Sequence, residues 1–286
     1  MTAPPLPHLP EIERLSPRVV RILGGNPNKF TLQGTNTYLI GQGRKRILLD
    51  TGEGNRTWPE TLRKALTDED VEIEKVLLTH WHPDHVGGVS DVLQRSPQAK
   101  VHKNQPSEEQ HDISDGQRFK TEGATLRAFH CPGHTTDHMA FILEDEDAMF
   151  TGDNVLGHGT AVFEDLPAYM DSLNRMQHQF SGRAYPGHGA VIEDGKTKIQ
   201  EYIAHRKERE DQILGVMKDE PPNSGGEAGE GWTSMQIVRV VYKDYPESLH
   251  MPAERGVLQV LSKLGGESRV RKCEDGSWAV AAKSAL

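Results

Sequence analysis

Residues 76–85 read VLLTHWHPDH. The apolar run Val76-Leu77-Leu78 ends at Thr79, and the next six residues hold His80, His82, Asp84 and His85. Imidazole and carboxylate groups resist burial without partners, so a strand that empties directly into four of them needs a reason. Side chains two apart in extended chain point the same way, which lets His80 and His82 share one ion. Pro83 turns the chain, and Asp84 and His85 beyond it can face a second ion.

The same arrangement recurs downstream. TLRAFHC (125–131) leads through Pro-Gly to His134, AMFTG (148–152) leads to Asp153, and RAYPG (183–187) leads to His188. Four apolar strands each deliver a polar group just past the carboxyl end, and a shared metal is the simplest common cause. Five histidines and two aspartates, with no thiolate, suit zinc and also admit manganese or iron. Seven ligands exceed the needs of one tetrahedral ion and match two ions sharing a bridging carboxylate. Glycines in VGGV, CPGH and YPGHG leave the loops free to approach the ions. His134 and His138 stand four apart, but the Pro-Gly before them and the strand-like MAFILE after them argue against a helical pair. His134 therefore reads as a ligand and His138 as a supporting or structural group. His8, His102, His111, His178 and His250 read as ordinary surface or core histidines, and Cys131 as a buried, inert thiol.

The bulk properties narrow the context. At 286 residues with 35% hydrophobic content, the chain can build one large domain with a small appendage. No apolar run approaches the roughly 20 residues that span a membrane. The start, MTAPPLPHLPEIERL, has neither the apolar centre of a secretory signal nor the character of a transit peptide, so a cytoplasmic location is expected. Two cysteines, Cys131 and Cys273, give no disulfide framework. A net charge of −9 argues against a broad nucleic-acid-binding face. Fourteen histidines are the compositional oddity.

Strands are expected at 18–23, 37–40, 46–50, 75–80, 125–131, 140–144, 148–153 and 183–188. A helix should start at TWPETLRKAL with a Thr57–Glu60 capping box. Another should cover DLPAYMDSLNRMQHQF, burying Leu166, Tyr169, Met170, Leu173, Met176 and Phe180 as core, and a third should run from Thr197 to Lys218. Residues 1–218 then read as the catalytic domain. DEPPNSGGEAGEG (219–231) reads as a linker, and 232–286 as a winged-helix-like module. In that module Thr233 and Gln236 form a capping box, and the glycines of KLGG cap a second helix. A hairpin turns at Asp275-Gly276, with Arg269, Arg271 and Lys272 read as a solvated strand face, the alternative being contact with phosphate.

HWHPDH, followed by PGH, TGD and PGHG, resembles the metallo-β-lactamase superfamily. TLQGTNTYLIG, DTGEG, TEGATLRAFHCPGHTTDHMAFILE, GTAVFEDL and YPGHGAVIEDG resemble its lactamase-β-like branch over nearly the whole chain. The resemblance implies an α/β (α+β) fold: an αββα sandwich of two mixed sheets with helices outside and metals at one sheet edge. It further implies that His80, His82 and His134 hold the first ion, that Asp84, His85 and His188 hold the second, and that Asp153 bridges. True β-lactamases of the superfamily bring a cysteine to the second ion. Asp84 takes that place here, so antibiotic hydrolysis is not expected.

The resemblance therefore implies a hydrolase with two divalent ions, with zinc expected for both and manganese the alternative. A metal-bridged hydroxide would attack a carbonyl or phosphoryl centre, with Asp84 and Asp153 as the catalytic carboxylates. The stretches PPLPHLPEIERL, VHKNQPSEEQHDISDGQRF and MFTGDNVLGHGTAVFEDL resemble fungal lactamase-like thioesterases of secondary metabolism. Those enzymes serve non-reducing polyketide synthases that lack a releasing domain. The implied reaction is release of an aromatic polyketide, and the implied partner is the acyl carrier protein domain with its acyl thioester. The alternatives are a single-stranded-RNA endoribonuclease of the lactamase-β-like type, a glyoxalase-II-type thioester hydrolase, or a non-catalytic metal-binding scaffold. An RNA enzyme gains affinity from phosphate neutralisation, for which an acidic chain is poorly suited. By resemblance, Thr35 and Asn36 in QGTNTY are expected at the substrate. His158 in LGHGT reads either as a substrate contact or as a structural loop residue.

Overall fold

The β-branched and aromatic runs of the first part of the chain become strands. They are seen in a computed structural model that describes residues 6–222 and 231–281. The chain opens with β1 (Ile12–Arg14), β2 (Val19–Leu23), β3 (Asn36–Ile40) and β4 (Lys45–Leu49). Helix α1 (Trp58–Glu69), β5 (Glu72–Leu78), the one-turn α2 (Pro83–Val86) and α3 (Val89–Arg95) follow. Next come β6 (Lys100–Lys103), β7 (His111–Asp112), β8 (Arg118–Thr121), β9 (Ala124–His130), β10 (Met139–Leu143) and β11 (Ala148–Gly152). Helix α4 (Leu166–Met176), β12 (Ala184–Pro186) and α5 (Gly195–Met217) complete this part.

Strands β1 to β7 form one sheet in sequence order, antiparallel up to β4 and parallel from β4 onward. The second sheet has the order β12-β11-β10-β9-β8 and is antiparallel except between β11 and β12. Successive residues of the first sheet alternate between two cores, as the two-residue period of a strand requires. Tyr38, Ile47 and Leu77 face Leu126, Phe141, Phe150 and Tyr185 of the second sheet. Leu39, Leu48 and Val76 face Trp58 and Leu62 of α1 and Val92 of α3. Cover on both faces explains why these strands read as unbroken apolar runs rather than alternating ones. On the outer side of the second sheet, Arg175 of α4 lies 5.0 Å from the ring centroid of Phe129 in β9. The layers are therefore helix, sheet, sheet, helix.

Two helix signals resolve differently from expectation. Thr57 makes no side-chain cap for α1. Asn55 Oδ1 instead accepts from the N–H groups of Thr57 and Trp58 and from the Thr57 hydroxyl, satisfying donors that the helix start leaves free. Glu60 turns to Arg63. In α4 the apolar stripe buries Leu166, Tyr169, Leu173 and Met176, with Phe180 beyond the helix end, while Met170 is half-buried.

The described chain forms two compact units, one reaching Tyr202 and the other starting at Ile203. The division between these units falls within α5. Of the expected linker, residues 223–230 lie outside the described residues, as do residues 1–5 of the proline-rich head. In the second unit, α6 (Ser234–Val241) starts from the expected capping box of Thr233 and Gln236. A 3₁₀ turn at Glu247–Leu249, α7 (His250–Gly266) and the antiparallel pair β13 (Val270–Lys272) and β14 (Trp278–Val280) follow. The glycines of KLGG do not cap α7. The helix runs through both of them, and the left-handed residue is Ser268, at φ 57°. The hairpin closes through a turn in which the Gly276 N–H donates to the Cys273 carbonyl, with Gly276 at φ 85°, the geometry of a three-residue loop. Arg269 is not merely solvated, since it shares Glu210 with Lys263. No helix among the described residues is long and apolar enough to cross a membrane.

Candidate metal centre

Strands β5, β9, β11 and β12 deliver their following residues to one place. His80 Nε2, His82 Nδ1 and His134 Nε2 converge, with separations of 2.9, 3.3 and 3.0 Å. Asp153 Oδ2 stands 3.6 Å from the His134 nitrogen. A second group forms beside it. Asp84 Oδ2 lies 3.3 Å from His85 Nε2 and 3.2 Å from His188 Nε2, and those two nitrogens are 3.4 Å apart. Asp153 touches this group too, with Oδ2 3.2 Å from His188 Nε2 and Oδ1 3.4 Å from His85 Nε2. All seven residues singled out from the sequence are thus brought together, as His80, His82, His134 and Asp153 in one cluster and Asp84, His85 and His188 in the other.

The donor atoms fit cations. The Thr79 hydroxyl donates to Asp50 Oδ2 at 2.9 Å, so it receives the Nδ1 proton of His80 at 2.9 Å. His85 Nδ1 donates to the same Asp50 oxygen at 2.7 Å, and His134 Nδ1 donates to the Val162 carbonyl at 2.8 Å. These bonds hold the three rings with their Nε2 atoms directed inward. Ring nitrogens crowded this closely repel one another unless a shared positive centre stands between them. Nitrogens bound to one tetrahedral zinc lie about 3.3 Å apart, close to the spacing seen. Asp153 Oδ1 is buried without a hydrogen-bond donor, as a metal-binding oxygen would be.

The two clusters differ electrically. Burial, helped by the neighbouring His85, holds His80 well below the usual imidazole range. Burial also lowers His82, with His134 adding to it. Burial alone would lower His85 as well, but Asp153 and Asp50 outweigh it and raise that imidazole well above its ordinary value. In His188 burial is again outweighed, by Asp153 and Asp84, and the group rises to about 9. Burial opposes ionisation of Asp84 and Asp153, yet His188 and His85 hold both carboxyls far below the usual range. Burial thus disfavours charge on His80 and His82, whereas the second cluster balances carboxylates against imidazolium protons that a bound cation would displace.

Several supporting residues escaped the sequence reading. Asp50, at φ 56°, accepts the Thr79 N–H at Oδ1 (2.8 Å) and both the Thr79 hydroxyl and His85 at Oδ2. One carboxylate therefore orients a histidine in each cluster. Asp50 directly follows β4, so the rule that found the other strand-end groups would have found it as well. Lys103 at the end of β6 forms a buried ion pair with Asp137 at 2.5 Å, and the Thr135 hydroxyl donates to Asp137 Oδ1 at 2.7 Å. This pair ties down the loop that carries His134, and no periodicity or motif pointed to it. His138 does play a supporting part: its Nε2 accepts the Asp153 N–H at 3.1 Å, and its Nδ1 faces Cys131 Sγ at 3.3 Å.

The expected substrate residues separate. A cavity of about 480 Å³ opens over the clusters and is lined in part by His82, Asp84 and His158. Thr35 and Asn36 do not line it, because both are buried behind the ligands. Thr35 Oγ1 sits 3.4 Å from Asp84 Oδ2. The Asn36 amide donates to the carbonyls of Pro186 and Gly189, on either side of His188. A second cavity of about 520 Å³, bounded by residues such as Lys45, Glu72 and Lys100 at the amino ends of the strands, includes none of the seven ligands.

Residues 30–188 match the metallo-beta-lactamase superfamily, and residues 233–278 match the beta-lactamase associated winged helix domain. An atrochrysone carboxyl ACP thioesterase of Aspergillus chevalieri is 47% identical over 268 residues, covering 93% of this chain and 86% of the relative. The atrochrysone carboxyl ACP thioesterase nsrC of Aspergillus novofumigatus is 49% identical over 242 residues, covering 84% of this chain and 75% of the relative. Among solved structures, a beta-lactamase domain protein from Burkholderia ambifaria superposes with a TM-score of 0.77 at 17% identity, covering 94% of this chain and 93% of the other. That likeness concerns the fold alone. The two-sheet sandwich, the clusters at its edge and the match across most of that sandwich lead to one assignment: the chain belongs to the metallo-beta-lactamase superfamily.

Proposed function

We propose that the protein is a dinuclear-metal thioesterase that releases an aromatic polyketide from the acyl carrier protein of a non-reducing polyketide synthase. The observation that carries this reading is the convergence of seven histidine and aspartate side chains under one cavity. It is supported by similarity to relatives named carrier-protein thioesterases. His80, His82 and His134 would hold one ion, Asp84, His85 and His188 the other, and Asp153 would face both. Zinc suits this imidazole and carboxylate set best. When bound, such ions make water nucleophilic near neutral pH and polarise a carbonyl.

The protein's own groups supply the rest. Asp84 has the more exposed of the two carboxylates, with 22% of its side chain accessible against 11% for Asp153. In this reading it would take a proton from the attacking water and return it to the departing thiol. Thr35 behind Asp84, and Asp50 behind His85, keep these groups from turning away. In the net reaction the C–S bond breaks, a C–O bond forms, and water supplies the oxygen and both protons. Lys29 is the only lysine or arginine among the described residues lining the cavity, a poor basis for binding a polyanion. This favours an acyl thioester over RNA.

The test is to load the full chain with zinc or manganese and offer acyl-N-acetylcysteamine, acyl-carrier-protein and single-stranded RNA. Thioester hydrolysis that Asp153→Ala abolishes is the expected result. Cleavage of RNA without thioester hydrolysis would overturn the reading.

A further inference from the structure

In the first unit, the large apolar side chains exposed among the described residues are Leu6, Phe30, Trp81 and Val162. Three of these four stand at the candidate metal centre. Phe30, 73% exposed, and Val162, 62% exposed, line the cavity over the ligands. Trp81 lies between two ligands in sequence, and its ring centroid is 4.5 Å from that of His82. Large exposed apolar area gathered in one place marks a binding surface, and here two of the side chains line the cavity and the third stands against the ligand His82.

The two cavity walls are built rather than loose. Asn28 Oδ1 accepts from the N–H groups of Phe30 (2.7 Å) and Thr31 (3.1 Å), and the Thr31 hydroxyl donates to the Asn26 carbonyl at 2.5 Å. The Asn26 side chain in turn bonds both the N–H and the hydroxyl of Thr35. These bonds hold Leu32, another lining residue, at φ 57°, a region that bulky residues seldom occupy. On the opposite wall the Tyr202 hydroxyl donates to the Gly159 carbonyl at 2.9 Å and accepts the Leu156 N–H at 3.1 Å. The carbonyl of Val162 holds His134, so the residue that presents an apolar side chain to the cavity also orients a ligand. Neither wall needs these side chains for its own packing, and a cavity of this size suits a drug-sized organic group.

We propose that Phe30, Trp81 and Val162 form an apolar collar that grips the acyl group and makes the enzyme selective for bulky, planar acyl thioesters over short ones. The proposal rests on the thioesterase reading for its substrate. Phe30 and Val162 flank the acyl group, and Trp81 forms the outer lip.

Two measurements on the metal-loaded full chain test it. The first is the ratio of kcat/KM for naphthoyl- over acetyl-N-acetylcysteamine. Phe30→Ala, Trp81→Ala and Val162→Ser should each lower this ratio, by roughly ten-fold for Phe30→Ala, through KM for the naphthoyl ester, and Phe30→Ala should leave bound metal unchanged. The second is calorimetric binding of a non-hydrolysable naphthyl thioether of N-acetylcysteamine, which should weaken in the same variants. Because the replaced side chains are exposed, the variants should fold. Equal ratios and equal thioether binding in all three variants and the parent would overturn the collar. Thioether binding that depends on the collar, with no thioester turned over by the parent, would support the collar and overturn the thioesterase reading.

Discussion

Asp50 Oδ2 lies 2.7 Å from His85 Nδ1, and through the Thr79 hydroxyl the same oxygen also sets the tautomer of His80. A single carboxylate therefore controls one imidazole in each cluster. Asp50→Asn keeps a side chain that tolerates the left-handed backbone at φ 56° but replaces an acceptor oxygen with a donor or a weaker acceptor. We expect affinity for both ions to fall by about 10- to 100-fold, with the fold retained. Metal content after dialysis against graded chelator, alongside the far-UV spectrum, checks this. Loss of only one ion would show that the Thr79 relay carries no weight.

Gly187 offers a test by a single methyl group. A Cβ built there would stand 2.3 Å from Asp153 Oδ1 and 3.1 Å from His85 Cε1. Gly187→Ala should therefore push Asp153 out of position and lower both bound metal and hydrolysis well beyond any change in thermal midpoint. Metal analysis and a melting curve on one preparation decide it. Full metal content would mean that the carboxylate has room that the geometry denies.

The Lys103–Asp137 pair is nearly fully buried. Lys103→Met leaves a buried carboxylate unpaired and should destabilise the protein by about 3–5 kcal/mol. Lys103→Met combined with Asp137→Leu removes both charges and should recover much of that loss. Urea unfolding of the two variants and the parent measures the coupling. Additive effects in the double variant would rule out a direct interaction between the pair.

The strands were legible because β3, β4 and β5 are covered on both faces, so Leu39, Leu48 and Val76 are as buried as Tyr38, Ile47 and Leu77. The ligands were legible because an imidazole or carboxylate just past an apolar strand has few other uses. What stayed hidden depends on where a side chain points once distant segments meet. Thr35 and Asn36 flank the ligands in space, yet they turn into the protein, toward Asp84 and the carbonyls around His188. Asn55 pre-empts the Thr57 cap from two residues upstream, and Lys103 meets Asp137 only because β6 ends beside the His134 loop. Local spacing carries no trace of such contacts.

Cys131 provides the last test, because a thiol near the ligands could be mistaken for one. Burial pushes its thiol up to about 12. Near neutral pH only about one thiol in 10⁵ is then ionised, and the thiolate is the reactive form. The sulfur instead faces His138 Nδ1 at 3.3 Å, and His138 Nε2 receives the Asp153 N–H. Because the group is both protonated and buried, iodoacetamide should leave the activity of the native protein intact between pH 7 and pH 9. The same reagent applied in urea, followed by refolding, should abolish activity. Cys131→Ala should keep both ions, since it removes an acceptor behind His138 and no metal donor. Rapid inactivation of the native protein by iodoacetamide, or loss of an ion in Cys131→Ala, would place the sulfur in the metal centre after all.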